Sequence, residues 1–391
     1  MRTGTDVANA PAPTATDAQA LVREGIAALR RGDHAGARRA LGPIVDTGRA
    51  SREVLLMLAD ACRGEGDRAA ALAHLDAVLA KDGQNLRALL AKGDLLQEGG
   101  DARGATRFYR AALAAAADGV DPALRPALRR AQAALQNNQG LFSDHLEASL
   151  AAAGHGPGQR TPRFQLALDL LQGRAVADMG VQRPATFFMP GMPQRTFYGR
   201  DELPWSGALE ARTDAISAEL ARQEEASFRP YLLSNSDEPR RDFHGLLDNP
   251  DWSTLYLWEN GAKTATGDAS PETWAAVEAA PLCFIGKRAP SVLFSLLKAG
   301  ARIPPHSGVT NARLICHLPL EVPPACGFRV GGDVREWREG ELLVFDDSVE
   351  HEAWNGSGER RVVLIFDVWR PELEPVERDA ITAMFAAIDN F

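Results

Sequence analysis

The chain has 391 residues, 45% hydrophobic and 24% charged, a composition that fits a soluble globular protein of two or three domains. Its net charge of -9 gives no attraction to nucleic acid or to an anionic membrane surface, so an acidic substrate would need a local basic site. Cys62, Cys283, Cys316 and Cys326 lie far apart with no C-x-x-C pair, which argues against a zinc knuckle or a disulfide framework and fits a reducing compartment.

Residues 1–17, "MRTGTDVANAPAPTATD", have neither a basic region nor an apolar core, and no run of about 18 apolar residues occurs in the chain. A disordered leader on a cytoplasmic protein is expected. Three related words follow: "GDHAGARRAL", "GDRAAALAHL" and "GDARGATRFY" begin at Gly32, Gly66 and Gly100, two steps of 34 residues. Leu21, Leu55 and Leu89 keep the register, as do Gly25, Ala59 and Gly93, then Ala37, Ala71 and Ala105, then Leu41, Leu75 and Tyr109. Small residues recur where two helices would cross and large apolar ones where a helix pair must bury a face. One hairpin cannot cover its own apolar face, whereas a stack can. This pattern resembles the tetratricopeptide repeat and predicts a helical array over 18–137, then a helical linker or cap over 138–183.

Near residue 180 the texture turns aromatic and proline-punctuated. Short β-type runs then dominate: "STLYLW", "PSVLFSLL", "ARLICHLPL", "CGFRVGG", "GELLVFDDS" and "RVVLIFDVW". Their spacing and Gly/Pro turns predict a jelly roll over 184–391.

His306, in "PPHSGVTN", follows a strand and a turn at a position suited to a barrel mouth. His351 comes 45 residues later and Arg361 ten beyond it. Two histidines with a carboxylate on one face of Fe(II) leave positions open for a co-substrate and O2. A deeper guanidinium suits the far carboxylate of a 2-oxo acid, because it stays charged and can grip bidentately. By strand alternation Arg361, Val363, Ile365 and Asp367 share one face, so Arg361 points inward only if that face lines the barrel. At Gly308, a His-x-Asp site would carry its carboxylate. Asp346 and Asp347 are candidates to supply it, or they hold a turn.

The words "FFMPGMP", "ELPW", "FRPYL", "DWSTLYLWENG", "APSVLFSLLKAGARIPPHSGVTNARLICHLPL", "FRVGGDVREWREGELLVFDDSVEHEAWN" and "RRVVLIFDVWRPEL" are similar, in order over about 185–375, to the catalytic domain of the aspartyl/asparaginyl β-hydroxylase family. The resemblance implies a double-stranded β-helix that uses Fe(II), 2-oxoglutarate and O2, with His306 and His351 as the two protein ligands. By the same match Arg361 and Ser295 would hold the distal carboxylate of 2-oxoglutarate, and His317 would lie near its chelating end. The vertebrate members of the family carry an arginine where this chain has Ile315; Arg313 is the nearest substitute. The expected activity is hydroxylation of an Asp/Asn-type side chain in a peptide or protein, with the repeats favouring a polypeptide substrate or partner. The alternatives are a hydroxylase of a small amino-acid-type metabolite and an inactive interaction module.

Overall fold

The computed structural model describes residues 15–48, 50–116, 121–239 and 245–391. The leader falls outside them except at its end, where the first helix begins at Ala15. Two compact units result, Met1–Gly140 with Ser234–Arg241, and Leu141–Leu233 with Asp242–Phe391.

The first unit contains three helical hairpins: α1 (Ala15–Arg30) with α2 (His34–Asp46), α3 (Arg52–Gly64) with α4 (Arg68–Lys81), and α5 (Leu86–Glu98) with α6 (Ala102–Ala115). The repeated Gly-Asp pair builds each corner. Gly32, Gly66 and Gly100 take φ of 73°, 79° and 84°, a left-handed conformation that ends one helix at little steric cost. The following Asp33, Asp67 and Asp101 accept the backbone N–H three residues on and cap the next helix. The small positions in the register mark helix crossings: a Cβ on Gly25 would come within 2.6 Å of Leu41, and one on Gly93 within 2.6 Å of Tyr109. Leu55, Leu75, Leu89 and Tyr109 lie in the resulting continuous core.

Helix α7 (Arg125–Ala152) begins in this unit and ends in the second, where α8 (Pro162–Leu171) follows. The expected linker over 138–183 therefore belongs largely to the second unit. The cause is apolar packing: Leu146, Leu150, Phe164 and Leu168 share a buried cluster with Phe187, Met189 and the C-terminal helix residues Ile381, Met384 and Phe385.

Eight strands make the second unit a double-stranded β-helix, or jelly roll. They are β1 (Val292–Leu297), β2 (Arg302–His306), β3 (Arg313–Glu321), β4 (Cys326–Val330), β5 (Asp333–Arg335), β6 (Leu343–Phe345), β7 (His351–Asn355) and β8 (Arg361–Trp369). The larger sheet orders them β6-β3-β8-β1 and continues to the outer strand Trp252–Glu259; the smaller orders them β2-β7-β4-β5. All these pairs are antiparallel. Except between β4 and β5, each connection carries the chain from one sheet to the other, the double-wound path of this architecture.

Alternation then assigns the faces of the larger sheet. Val362, Leu364 and Phe366 pack outward with Leu314, Cys316 and Leu318 against Leu209, Ile216 and Val277. Ile365, Leu297 and Ile315 turn inward onto Phe328, Val330 and Ala353 of the smaller sheet. Arg361 shares the inward phase of β8. Among the described residues no helix is long and apolar enough to cross a membrane.

Candidate active site

His306 ends β2 and His351 opens β7, and the two stand directly opposite in the antiparallel ladder. Their ring centroids are 4.1 Å apart. His306 Nδ1 faces the Pro304 carbonyl at 2.8 Å and His351 Nδ1 the Val349 carbonyl at 3.0 Å. A ring nitrogen facing a carbonyl carries the hydrogen, so each imidazole is left with Nε2 as its lone-pair nitrogen. Burial keeps both rings neutral: it lowers His306, and it lowers His351 to about 3 with the help of the neighbouring His306. Two close, oriented, neutral imidazoles fit a divalent transition metal. Among the described residues no group of three His, Cys, Asp or Glu side chains converges to complete such a site.

The reason 308 is glycine lies in Asp347. A Cβ at Gly308 would sit 1.9 Å from Asp347 Oδ2, and the Gly308 N–H already donates to the Asp347 carbonyl at 2.6 Å. Of the two aspartates proposed as substitute ligands, Asp346 is wholly engaged. It accepts from Ser348 N and Oγ, from Gln182 Nε2 at 2.6 Å and from Arg370 Nη1 at 2.9 Å, and so fixes the turn leading into His351. Asp347 is different: its Oδ1 is buried without a partner, and burial pushes its carboxyl up to about 7 although Arg313 opposes the shift.

Arg361 lies deep between the sheets, 1% exposed, with its guanidinium 4.5 Å from the centre of the Trp337 ring. Its Nε and Nη2 find no acceptor, and burial lowers its pKa to about 10. An enclosed cation with unmet donors costs several kcal/mol. A bound carboxylate would satisfy it. Ser295 faces inward from β1, opposite Val363, where its Oγ accepts from Trp252 Nε1 at 3.2 Å and keeps its own hydrogen to donate. Trp252 in turn stacks on Tyr231 and lies 6.2 Å from the His306 ring. His317 is enclosed by Phe328, Trp337 and Phe345 with its Nδ1 unpartnered, and burial, then the charge of Arg361, holds it neutral.

Five of the six expected residues thus line one interior. Arg313 departs from the expectation of a 2-oxoglutarate contact, because its guanidinium is held by Asp367 and, at 3.3 Å, by Asp347. Its charge is compensated before any ligand arrives. Sequence reasoning also missed Trp337, which roofs Arg361, and Arg370, which locks the turn before His351; neither lies in a pattern that marks it.

The profile of the aspartyl/asparaginyl beta-hydroxylase family matches residues 210–371, a stretch that contains every residue of this interior named above except Gln182. The chain is 38% identical over 141 residues to the aspartyl/asparaginyl beta-hydroxylase of Mus musculus, covering 36% of this chain and 19% of that protein. It is 34% identical over 227 residues to aspartate beta-hydroxylase domain-containing protein 1 of Homo sapiens, covering 55% and 54%. It is also 34% identical over 182 residues to the ornithine lipid ester-linked acyl 2-hydroxylase of Rhizobium tropici, covering 46% and 62%. In each case the match spans less than two thirds of the relative's length.

Proposed function

We propose that the unit containing the jelly roll, in which residues 210–371 match the model of the aspartyl/asparaginyl β-hydroxylase family, is an Fe(II)- and 2-oxoglutarate-dependent hydroxylase acting on an Asp/Asn-type side chain of a polypeptide. The observation that carries this reading is the sealed Arg361 guanidinium, with two donors unmet, in the same interior as the paired histidines. When bound, Fe(II), 2-oxoglutarate and O2 supply the oxidising power: the co-substrate leaves as succinate and CO2, and one oxygen atom enters a C–H bond of the substrate.

The chain's own part is placement and exclusion of water. His306 and His351 would hold the metal through Nε2, each fixed by its carbonyl-bonded Nδ1. Arg361 would receive the far carboxylate of the co-substrate, with Ser295 donating to the same group. The neutral His317 ring offers a hydrogen-bonding edge between that cation and the metal pair. Asp347 keeps an unengaged oxygen beside Gly308, an acceptor for a proton carried by whatever occupies that space. Phe328, Phe345 and Trp337 close the interior around these groups and strengthen each electrostatic contact by excluding water.

Anaerobic titration of the full chain with Fe(II) and then 2-oxoglutarate should give a weak visible charge-transfer band, and 2-oxoglutarate should stimulate O2 uptake. His351→Ala should abolish both. A folded protein that shows neither signal overturns the reading. The substrate class is tested by incubation with a peptide extract and a search for products heavier by one oxygen atom.

A further inference from the structure

Lys92, in the helical unit, is a cation in an unusual place. It lies on α5 with only 3% of its surface exposed, its ammonium 4.5 Å from the centre of the Phe108 ring on α6. One proton goes to Asp76 on α4 and another, at 2.6 Å, to the backbone carbonyl of Ser236. The neighbouring Arg107 donates to the carbonyl of Asp237 at 3.3 Å and pairs with the carboxylate of Glu238 at 3.7 Å.

The described residues 234–239 thus join the helical unit although they are distant from it in sequence. They arrive as a folded shape. The Asn235 side chain accepts the Asp237 N–H at 2.9 Å, and the Glu238 N–H reaches back to the Asn235 carbonyl at 3.3 Å. This turn presents two successive carbonyls and an acidic side chain to two cations. The 34-residue repeat does not call for a lysine at 92: the same register position is the buried Leu58 in the preceding hairpin and the exposed Glu24 in the first. An apolar residue would complete the core at less desolvation cost. A buried lysine is accounted for if the position reads a ligand.

We propose that Lys92, Arg107 and the Phe108 ring form a recognition site for an acidic polypeptide turn, and that Asn235–Glu238 is a resident internal ligand that an external segment of the same chemistry can replace. Lys92 recognises a main-chain carbonyl, so the site selects backbone shape there; Arg107 adds the preference for an acidic side chain. This inference does not rest on the hydroxylase reading, and its test reads binding alone.

The test uses the full chain and a fluorescein-labelled peptide with the sequence of residues 231–239, followed by anisotropy. A tethered ligand competes at an effective concentration in the millimolar range, so the natural chain should bind the peptide weakly. Weakening the internal turn with Asn235→Gly and Glu238→Lys should tighten apparent binding by about tenfold or more. Adding Lys92→Met or Arg107→Glu to that double variant should remove the gain. Arg107 is a third exposed, so its variant decides the matter if Lys92→Met fails to fold. The proposal is overturned if the double variant binds no better than the natural chain, or if binding survives Arg107→Glu.

Discussion

Arg361 opens β8 and Arg370 directly follows its last residue; both are sealed from solvent, and their surroundings are opposite. Arg370 places its donors on Tyr198 Oη, the Asn311 and Pro193 carbonyls and the Asp346 carboxylate. Arg361 has the face of Trp337 and two donors without acceptors. One guanidinium is therefore satisfied within the fold, and the other is left with unmet donors. Burial alone does not separate a structural cation from a binding one; satisfaction of its hydrogen bonds does. Arg313 falls on the structural side by this measure, since Asp367 and Asp347 already flank it.

The comparison can be broken at either arginine. Arg370→Leu strands Asp346 as a buried carboxylate and frees the turn before His351, so unfolding in denaturant should show a loss of about 3–5 kcal/mol. Arg361→Leu should leave stability unchanged or raised, since it removes a cation that lacks a counter-charge. Calorimetry under nitrogen should then show 2-oxoglutarate affinity reduced by about 1.5–3 kcal/mol while the metal still binds. If Arg361→Leu destabilises as much as Arg370→Leu, the distinction fails.

Smaller changes sharpen it. Ser295→Ala removes one donor to the same carboxylate and should raise the Kd for 2-oxoglutarate by about 1 kcal/mol, with metal binding untouched. The smallest expected effect concerns pH. Two imidazoles of ordinary pKa, about 6.5, would lose roughly 100-fold in metal affinity between pH 7.5 and 5.5, because protons compete for both ligands. Here the folded-state pKa values are depressed, to about 3 for His351. His351 therefore stays neutral across this interval, and His306, held below the usual histidine range by burial, is protonated less than a free imidazole at every pH within it. Co(II) binding followed by absorbance should change by less than about tenfold over that interval.

The repeats were legible because their information is local and periodic: a 34-residue register names the corners, the crossings and the core together. The inward phase of Arg361 was legible for a similar reason, since alternation along one strand fixes it once Ile365 is known to face the barrel. Partners contributed by remote strands were not. Nothing near Arg313 announces Asp367 or Asp347, which lie 54 and 34 residues away, and the engagement of Asp346 depends on Gln182, 164 residues away. The segment at 234–239 was missed because a polar turn in sequence looks the same whether it meets solvent or a buried lysine.

Gly308 gives the site a history-dependent character. Installing a carboxylate there would drive its Cβ into Asp347, so the single change that would restore a His-x-Asp motif passes through a damaged intermediate. Shortening Asp347 first would relieve the crowding but remove a flank of Arg313 and the unengaged oxygen beside the glycine. Conversion to a three-ligand centre therefore needs coordinated substitutions at 308, 347 and the surroundings of Arg313. The two-histidine arrangement is a local optimum, guarded on each side by steps that make it worse.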